Sequence, residues 1–150
     1  MSIKNTLVKR IAIMLTACMI AFTGVAASAT PVQAATSDSS KLELLAALIY
    51  CEAGGESYEG QLAVGAVVIN RMNSKSYPNT LKGVIYQKGQ FGPASSGILA
   101  KRIGSSIVTK SCYEAAEEAL NGVSNVGKLT NFQGKSCGKS GIIIGNHVFY

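Results

Sequence analysis

Two strongly apolar runs, Leu42 to Tyr50 and Leu62 to Ile69, flank a short stretch that carries three carboxylates, Glu52, Glu56 and Glu59. Ahead of the first run, Ser40-Lys41-Leu42-Glu43 fits a capping box and predicts a helix start. Leu42, Leu45 and Ile49, with Leu44 and Leu48, cover two adjacent helical faces, the pattern of a buried central helix. Gly54-Gly55 predicts its end, which puts Glu52 in the last turn. Ser57 predicts the cap of a second helix running to about Met72. The β-branched run from Val64 to Ile69 also suits a buried strand; length and Ala-rich spacing favour helix. Asn73 to Thr80 reads as a loop, Thr80 to Gln87 as a short helix, and Gly89 to Gly97 as a loop carrying Phe91 and Pro93. A second capping box, Ser111-Cys112-Tyr113-Glu114, predicts a helix stopped by Gly122, with Glu114, Glu117 and Glu118 on its solvated face. Leu129 to Phe132 and Ile142 to Tyr150 read as strands separated by Gly- and Lys-rich turn material.

The beginning of the chain follows a different pattern. Lys4, Lys9 and Arg10 precede an apolar run from Ile11 to Ala27, and both Ala27-Ser28-Ala29 and Val32-Gln33-Ala34 offer small-x-Ala cleavage patterns. This predicts a secretory signal peptide over 1–34, cleaved after Ala34, a linker over 35–40 and one catalytic domain over 41–150. The rival readings are an uncleaved membrane anchor and acylation at Cys18 within Leu15-Thr16-Ala17-Cys18. After cleavage about 115 residues remain, enough for one domain with its own core. That domain is expected to act as a monomer, without stable membrane insertion.

Charge and cysteines narrow the picture only slightly. Without the three basic residues of the leader, eleven Lys and Arg stand against eight acids, a net +3. Such a surplus aids solubility and favours an anionic polymer such as a bacterial wall. No basic run is dense enough, or interleaved with aromatics, to suggest nucleic acid. Cys51, Cys112 and Cys137 lie beyond the leader, an odd number for an exported chain. A Cys112–Cys137 disulfide is conceivable, and Cys51 reads as a small core residue.

Reactive groups are few. A single histidine, His147, excludes a multi-histidine zinc site, and neither a metal nor a cofactor is expected. There is no Gly-x-Ser-x-Gly elbow and no phosphate-cradling loop. Cys51 with His147 offers a nucleophile and base suited to a wall peptidase, although a helix C-terminus disfavours thiolate at Cys51. The carboxylates remain. Burial and the helix dipole both push the pKa of Glu52 upward, as a general acid requires. Glu59, at the start of the next helix, sits where its charge is favoured.

The run from Leu45 to Arg71, with Glu52-Ala53-Gly54-Gly55-Glu56 and Asn70-Arg71 inside it, resembles the opening signature of bacterial cell-wall hydrolases of the spore cortex-lytic type. Tyr77-Pro78-Asn79-Thr80, Gly83 to Gln87 and Gln90-Phe91 match the segment that follows in that family. Ile144 to Tyr150 resembles its closing strand. Cys51 and the segment from Ser95 to Ser106 depart from the pattern. The resemblance implies an α+β fold, a lysozyme-like, mostly helical domain with a short C-terminal β-hairpin. It also implies peptidoglycan as partner and Glu52 as the catalytic group. Spore-cortex members are lytic transglycosylases, which cleave between N-acetylmuramic acid and N-acetylglucosamine and leave a 1,6-anhydro ring. That chemistry suits a chain with no evident second carboxylate across the bond. Glu56 is expected to orient sugar or water, or to fix its loop. Gln90, Phe91, Asn131 and Phe132 are candidates for a sugar groove, with core packing as the plainer role for both Phe residues. A Cys–His endopeptidase and a non-catalytic wall-binding domain are the competing functions.

Overall fold

The computed structural model describes the backbone of residues 32–150 and the side chains from residue 37 onward. The proposed leader therefore lies almost entirely outside the described residues. Pro31–Tyr150 form one compact unit. Among the described residues six helices precede a small sheet: α1 (Val32–Ala53), α2 (Tyr58–Met72), α3 (Leu81–Ile85), α4 (Gly92–Ser95), α5 (Ile98–Arg102) and α6 (Lys110–Leu120), then β1 (Phe132–Gly134), a 3-10 turn (Lys135–Cys137), β2 (Ile142–Ile144) and β3 (His147–Phe149). Among the described residues no helix is long and apolar enough to cross a membrane.

Helices α1, α2 and α6 pack on one another and form the core. Leu45, Leu48 and Ile49 of α1 meet Val64, Val67 and Val68 of α2 and Ala115, Ala116 and Ala119 of α6, all fully buried or nearly so. The β-branched run of α2 is thus helical, because both of its flanks face other helices. Gly65 of α2 packs tightly against both neighbours: an added Cβ would lie 3.0 Å from Ala119 Cβ and 3.1 Å from Ile49 Cδ1.

Helix ends fall where local chemistry puts them, with two corrections. Ser57 caps α2, its hydroxyl accepting from Gly60 N, and Thr80 caps α3 by accepting from Gly83 N. The helix expected to begin at Ser40 instead runs unbroken from Val32, so the 35–40 stretch expected as a linker is helical. The polar side chains of Ser37 to Ser40 are exposed, and Asp38 pairs with Lys41 one turn on (3.1 Å). The capping box at Ser111 is displaced as well. Thr109 caps α6, accepting from Cys112 N, and frees the Ser111 hydroxyl to donate to Gln61 Oε1 at 2.6 Å. Glu114, Glu117 and Glu118 do lie on the exposed face of α6. The loop expected over Gly89 to Gly97 contains the single turn α4, with Pro93 in its first turn, and α5 follows where no element was expected.

The tail is a three-stranded antiparallel sheet in the order β1-β3-β2. Phe132 pairs with Phe149 and Gly134 with His147; on the other side Ile142 pairs with Phe149 and Ile144 with His147. The run expected as one strand from Ile142 to Tyr150 is a hairpin. It turns at Gly145-Asn146, with Gly145 at φ +59°, a conformation suited to glycine in a tight hairpin. All three described cysteines are free: Cys112 is buried, Cys137 exposed and Cys51 half-buried, so the conceivable Cys112–Cys137 bridge is not formed.

Candidate active site

The junction between α1 and α2 gathers the acidic residues. Helix α1 ends at Ala53, and Gly54 N donates to Tyr50 O (3.0 Å). A Cβ on Gly54 would lie 2.5 Å from that same carbonyl oxygen, so only glycine allows the chain to leave the helix this tightly. Glu56 N then returns to Ala53 O (3.0 Å), which closes the turn.

The three carboxyls of this junction have opposite surroundings. Glu52, half-buried in the last turn of α1, accepts no hydrogen bond and forms no ion pair among the described residues. Removal from water pushes its pKa upward, and no other influence contributes. Glu56 is tied down instead. Its Oε1 accepts from Asn146 Nδ2 (2.9 Å) and its Oε2 from Asn146 N (3.1 Å). These side-chain and backbone hydrogen bonds hold its carboxyl below the usual range, with smaller help from His147 and Lys135. Glu59 is exposed in the first turn of α2, and hydrogen bonds from its own backbone amide and from Ser57 lower it too. One carboxyl of three is thus pushed toward the protonated form.

Gln61, directly ahead of the second apolar run, is a site residue that the sequence reading does not single out. It is 4% exposed. Its Nε2 donates to Glu56 O (3.2 Å), while its Oε1 accepts from Ser111 on α6. A buried amide with both ends satisfied fixes the acidic loop to the helical core.

The other predicted groove residues divide. Phe91 is 2% exposed and belongs to the core. Its ring lies beneath the Arg71 guanidinium, 5.2 Å from Cζ to centroid, with Tyr77 also in contact with that cation at 5.3 Å. Burial among these groups leaves Phe91 no face for a sugar. Phe132 is half-buried. It packs edge-on against His147 (5.5 Å) and beside Phe149 (5.8 Å) and Phe91 (6.4 Å). Asn131 extends the β1–β3 ladder, exchanging backbone hydrogen bonds with Tyr150 at 3.1 and 3.0 Å. Gln90 is exposed at the end of the turn before Phe91. Of the expected groove set, Phe132 and Asn131 are therefore adjacent at the start of β1, whereas Phe91 packs beneath.

The Asn70-Arg71 pair holds that strand in place. Asn70 Nδ2 donates to Gly127 O and Leu129 O (both 2.8 Å), and Arg71 Nε donates to Thr130 O (2.6 Å). The motif ties α2 to the segment leading into β1.

Cys51 and His147 do not form a dyad. His147 sits among the rings of Phe132 and Phe149, with Nδ1 buried and unpartnered. Burial first, then the charge of Glu52, pushes the Cys51 thiol up against a smaller opposing pull from Arg102; His147 is not among the groups acting on it. A thiol so perturbed is a poor nucleophile. Cys51 lines a cleft of about 510 Å³ together with Tyr50, Gly54, Gly55 and, from α5, Ile98 and Arg102. No cluster of three or more His, Cys, Asp or Glu side chains suited to a metal occurs among the described residues.

Known proteins share this fold. Residues 55–150 match the family model described as Cell Wall Hydrolase, a match that begins three residues after Glu52. A spore cortex-lytic enzyme of Oceanobacillus iheyensis is 34% identical over 72% of this chain and 40% of its own length. One of Halalkalibacterium halodurans is 34% identical over 81% of this chain and 37% of its own. The chain thus spans about two fifths of the length of these curated relatives. Among solved structures, the catalytic domain of the Bacillus cereus SleB protein superposes with a TM-score of 0.64 at 31% identity, over 73% of this chain and 88% of that one. The catalytic domain of the germination-specific lytic transglycosylase SleB from Bacillus anthracis gives 0.61 at 30%, over 73% and 93%. The helical core, the small antiparallel sheet and the extent of these matches place the chain in the cell wall hydrolase family.

Proposed function

We propose that the protein is an exported peptidoglycan lytic transglycosylase, acting on cell wall or spore cortex, with Glu52 as its single acid and base. The observation that carries this reading is the contrast at the α1–α2 junction: Glu52 is desolvated and unpartnered, whereas both oxygens of Glu56 are occupied by Asn146. A hydrolytic glycosidase uses two carboxyl groups, the second as nucleophile or to activate water. Glu56, ionised and held by two hydrogen bonds, is better suited to fixing the loop.

In the proposed sequence, protonated Glu52 donates to the oxygen between N-acetylmuramic acid and N-acetylglucosamine as the C1–O bond breaks. Positive charge develops at the muramyl C1. The C6 hydroxyl of the same sugar attacks C1, and its proton passes to the Glu52 carboxylate. The products are a free 4-hydroxyl on the leaving sugar and a 1,6-anhydromuramyl end. Water is not consumed, and Glu52 returns to its starting state. Because the cycle begins with the acid protonated, turnover should fall as pH rises through the elevated pKa of Glu52.

The chain's likeness to spore cortex-lytic enzymes and to the SleB catalytic domains supports the substrate class. The test is mass spectrometry of the muropeptides released from purified peptidoglycan and from cortex. Fragments ending in 1,6-anhydromuramic acid are expected, with none from Glu52→Gln, a loss of at least about 100-fold for a removed general acid. Reducing muramic ends would show hydrolysis instead, and cleaved peptides on an intact glycan would show a peptidase.

A further inference from the structure

Every polar group of Glu56 has a partner, and the partners come from three directions. Its N–H donates to Ala53 O at the end of α1 (3.0 Å), its carbonyl accepts from Gln61 Nε2 of α2 (3.2 Å), and its carboxylate accepts from Asn146 of the β2–β3 hairpin. These bonds hold the turn that closes α1 in one position. Glu52 is carried by the same backbone. Tyr50 O, two residues before it, accepts from Gly54 N, and Ala53, directly after it, is 2% exposed. The Glu52 carboxyl itself has no hydrogen-bond partner among the described residues, so its backbone and its packing alone aim it.

The bond to the Glu56 carbonyl reaches furthest. Gln61 is buried, and its amide is oriented by Ser111 of α6, whose hydroxyl donates to Oε1 at 2.6 Å. Rotating the amide by half a turn would set its oxygen against the Glu56 carbonyl oxygen, so one orientation alone makes both contacts. Ser111 is not needed to start its helix. Thr109 caps α6 by accepting from Cys112 N, and inside a helix serine is a poorer helix former than alanine. A serine that costs helix propensity while its hydroxyl serves a buried amide fifty positions away acts outside its own helix. The chain of bonds from Ser111 through Gln61 and Glu56 to Ala53 thus connects α6 to the backbone that carries Glu52. Small displacements of a reacting group lower rates steeply, by about 100-fold for 1 Å.

We propose that Gln61 and Ser111 are positioning residues for the reaction: together they fix the turn that aims Glu52 at the glycosidic oxygen, so α6 serves catalysis without touching substrate. This rests on the reading of Glu52 as the acid. The full chain is assayed on soluble cortex glycan by the release of 1,6-anhydromuramyl ends, well below the melting temperature of every variant. Ser111→Ala should lower kcat by about fivefold, the worth of one hydrogen bond, with KM held within about twofold and the helical circular dichroism unchanged. Gln61→Met keeps the volume and removes both bonds, and should lower kcat by about thirtyfold. Adding Ser111→Ala to Gln61→Met should then cost nothing more, because Ser111 acts through Gln61. The pH profile separates positioning from general weakening. Burial is the one influence on Glu52, so a loosened turn that admits water should move the falling limb of kcat to lower pH in Ser111→Ala. Val67→Ala, which trims a buried core side chain outside this chain of bonds, should leave the limb in place. An unchanged kcat in Ser111→Ala, a limb that moves as far in Val67→Ala, or a full further loss in the double variant would overturn the inference. Should Gln61→Met not fold, Ser111→Ala against Val67→Ala decides alone. Activity retained by Glu52→Gln would overturn the reading of the acid instead.

Discussion

The helical core and the C-terminal sheet are held together by different physics. In the core, α1, α2 and α6 bury a continuous set of Ala, Val, Leu and Ile side chains. Each contact is weak, non-directional and backed by neighbours. The sheet has strands of three residues each, and Ile143 on its β2 edge is 65% exposed. Too small to hold itself by burial, it depends on individual directional contacts: Glu56 to the Gly145-Asn146 turn, Asn70 and Arg71 to the segment before β1, and the ring cluster of Phe132, His147 and Phe149. Two of these anchors belong to the polar motifs at the α1–α2 junction and at the end of α2. The core sets overall stability, and the polar motifs set where the sheet lies relative to Glu52.

The largest effect should come from the core. Leu48 is fully buried, and Leu48→Ala should cost about 2–5 kcal/mol. Urea unfolding followed by circular dichroism should show the loss in one transition, with sheet and helices lost together. Gly145→Ala comes next and should act differently. Its Cβ would overlap Glu56 Oε2, and φ of +59° is strained for alanine, a cost of about 1–3 kcal/mol. Amide exchange should accelerate through the β2–β3 hairpin while the buried amides of α2 stay protected. Equal acceleration in both regions would break the distinction between core and sheet.

The same distinction explains what the sequence discloses. The core helices are legible because their periodicity is the consequence of burial: Leu45, Leu48 and Ile49 had to face inward, and Ser57 and Gly54-Gly55 mark their ends by local chemistry. The upward push on Glu52 follows from the same pattern, since an acid at the end of a buried helix must lose water. The start of α1 was misplaced because a helix can continue through a capping box when nothing forces a break, and the Asp38–Lys41 pair supports continuation. Thr109 outcompeted Ser111 because Gln61, fifty positions away, takes the Ser111 hydroxyl. The Glu56–Asn146 pin spans ninety positions and has no local signature. Core packing, the plainer of the two roles open to Phe91, is the one it takes, but nothing in the sequence signals that Arg71 would lie over its ring.

Asn70→Ala tests the second anchor with a smaller effect. It removes both hydrogen bonds to the Gly127 and Leu129 carbonyls, a loss of about 1–2 kcal/mol given that both oxygens stay partly accessible to water. Arg71 still holds Thr130, so β1 should loosen without detaching. Stability should fall modestly, and KM should rise more than kcat falls, if β1 borders the substrate groove. An unchanged KM alongside a fallen kcat would place the groove elsewhere.

The smallest effects, and the finest comparison, lie in the pH dependence of the two glutamates four residues apart. Glu52 has a folded-state pKa above that of the unfolded chain. Its contribution to stability is complete below the ordinary carboxyl range and is lost as pH rises through the elevated folded value. Glu56 has a lowered folded-state pKa. Its contribution is present above the ordinary range and is lost as pH falls through the depressed value. At neutral pH, Glu52→Gln should therefore raise the melting temperature and Glu56→Gln lower it, and both gaps should close on acidification. Exposure to solvent keeps the Glu56 effect small and sensitive to salt, whereas the desolvation at Glu52 should persist at high ionic strength. Melting curves across pH at two salt concentrations read both signs at once. Shifts of the same sign would mean that the two carboxyls share one environment, and the assignment of the acid role to Glu52 would lose its physical basis.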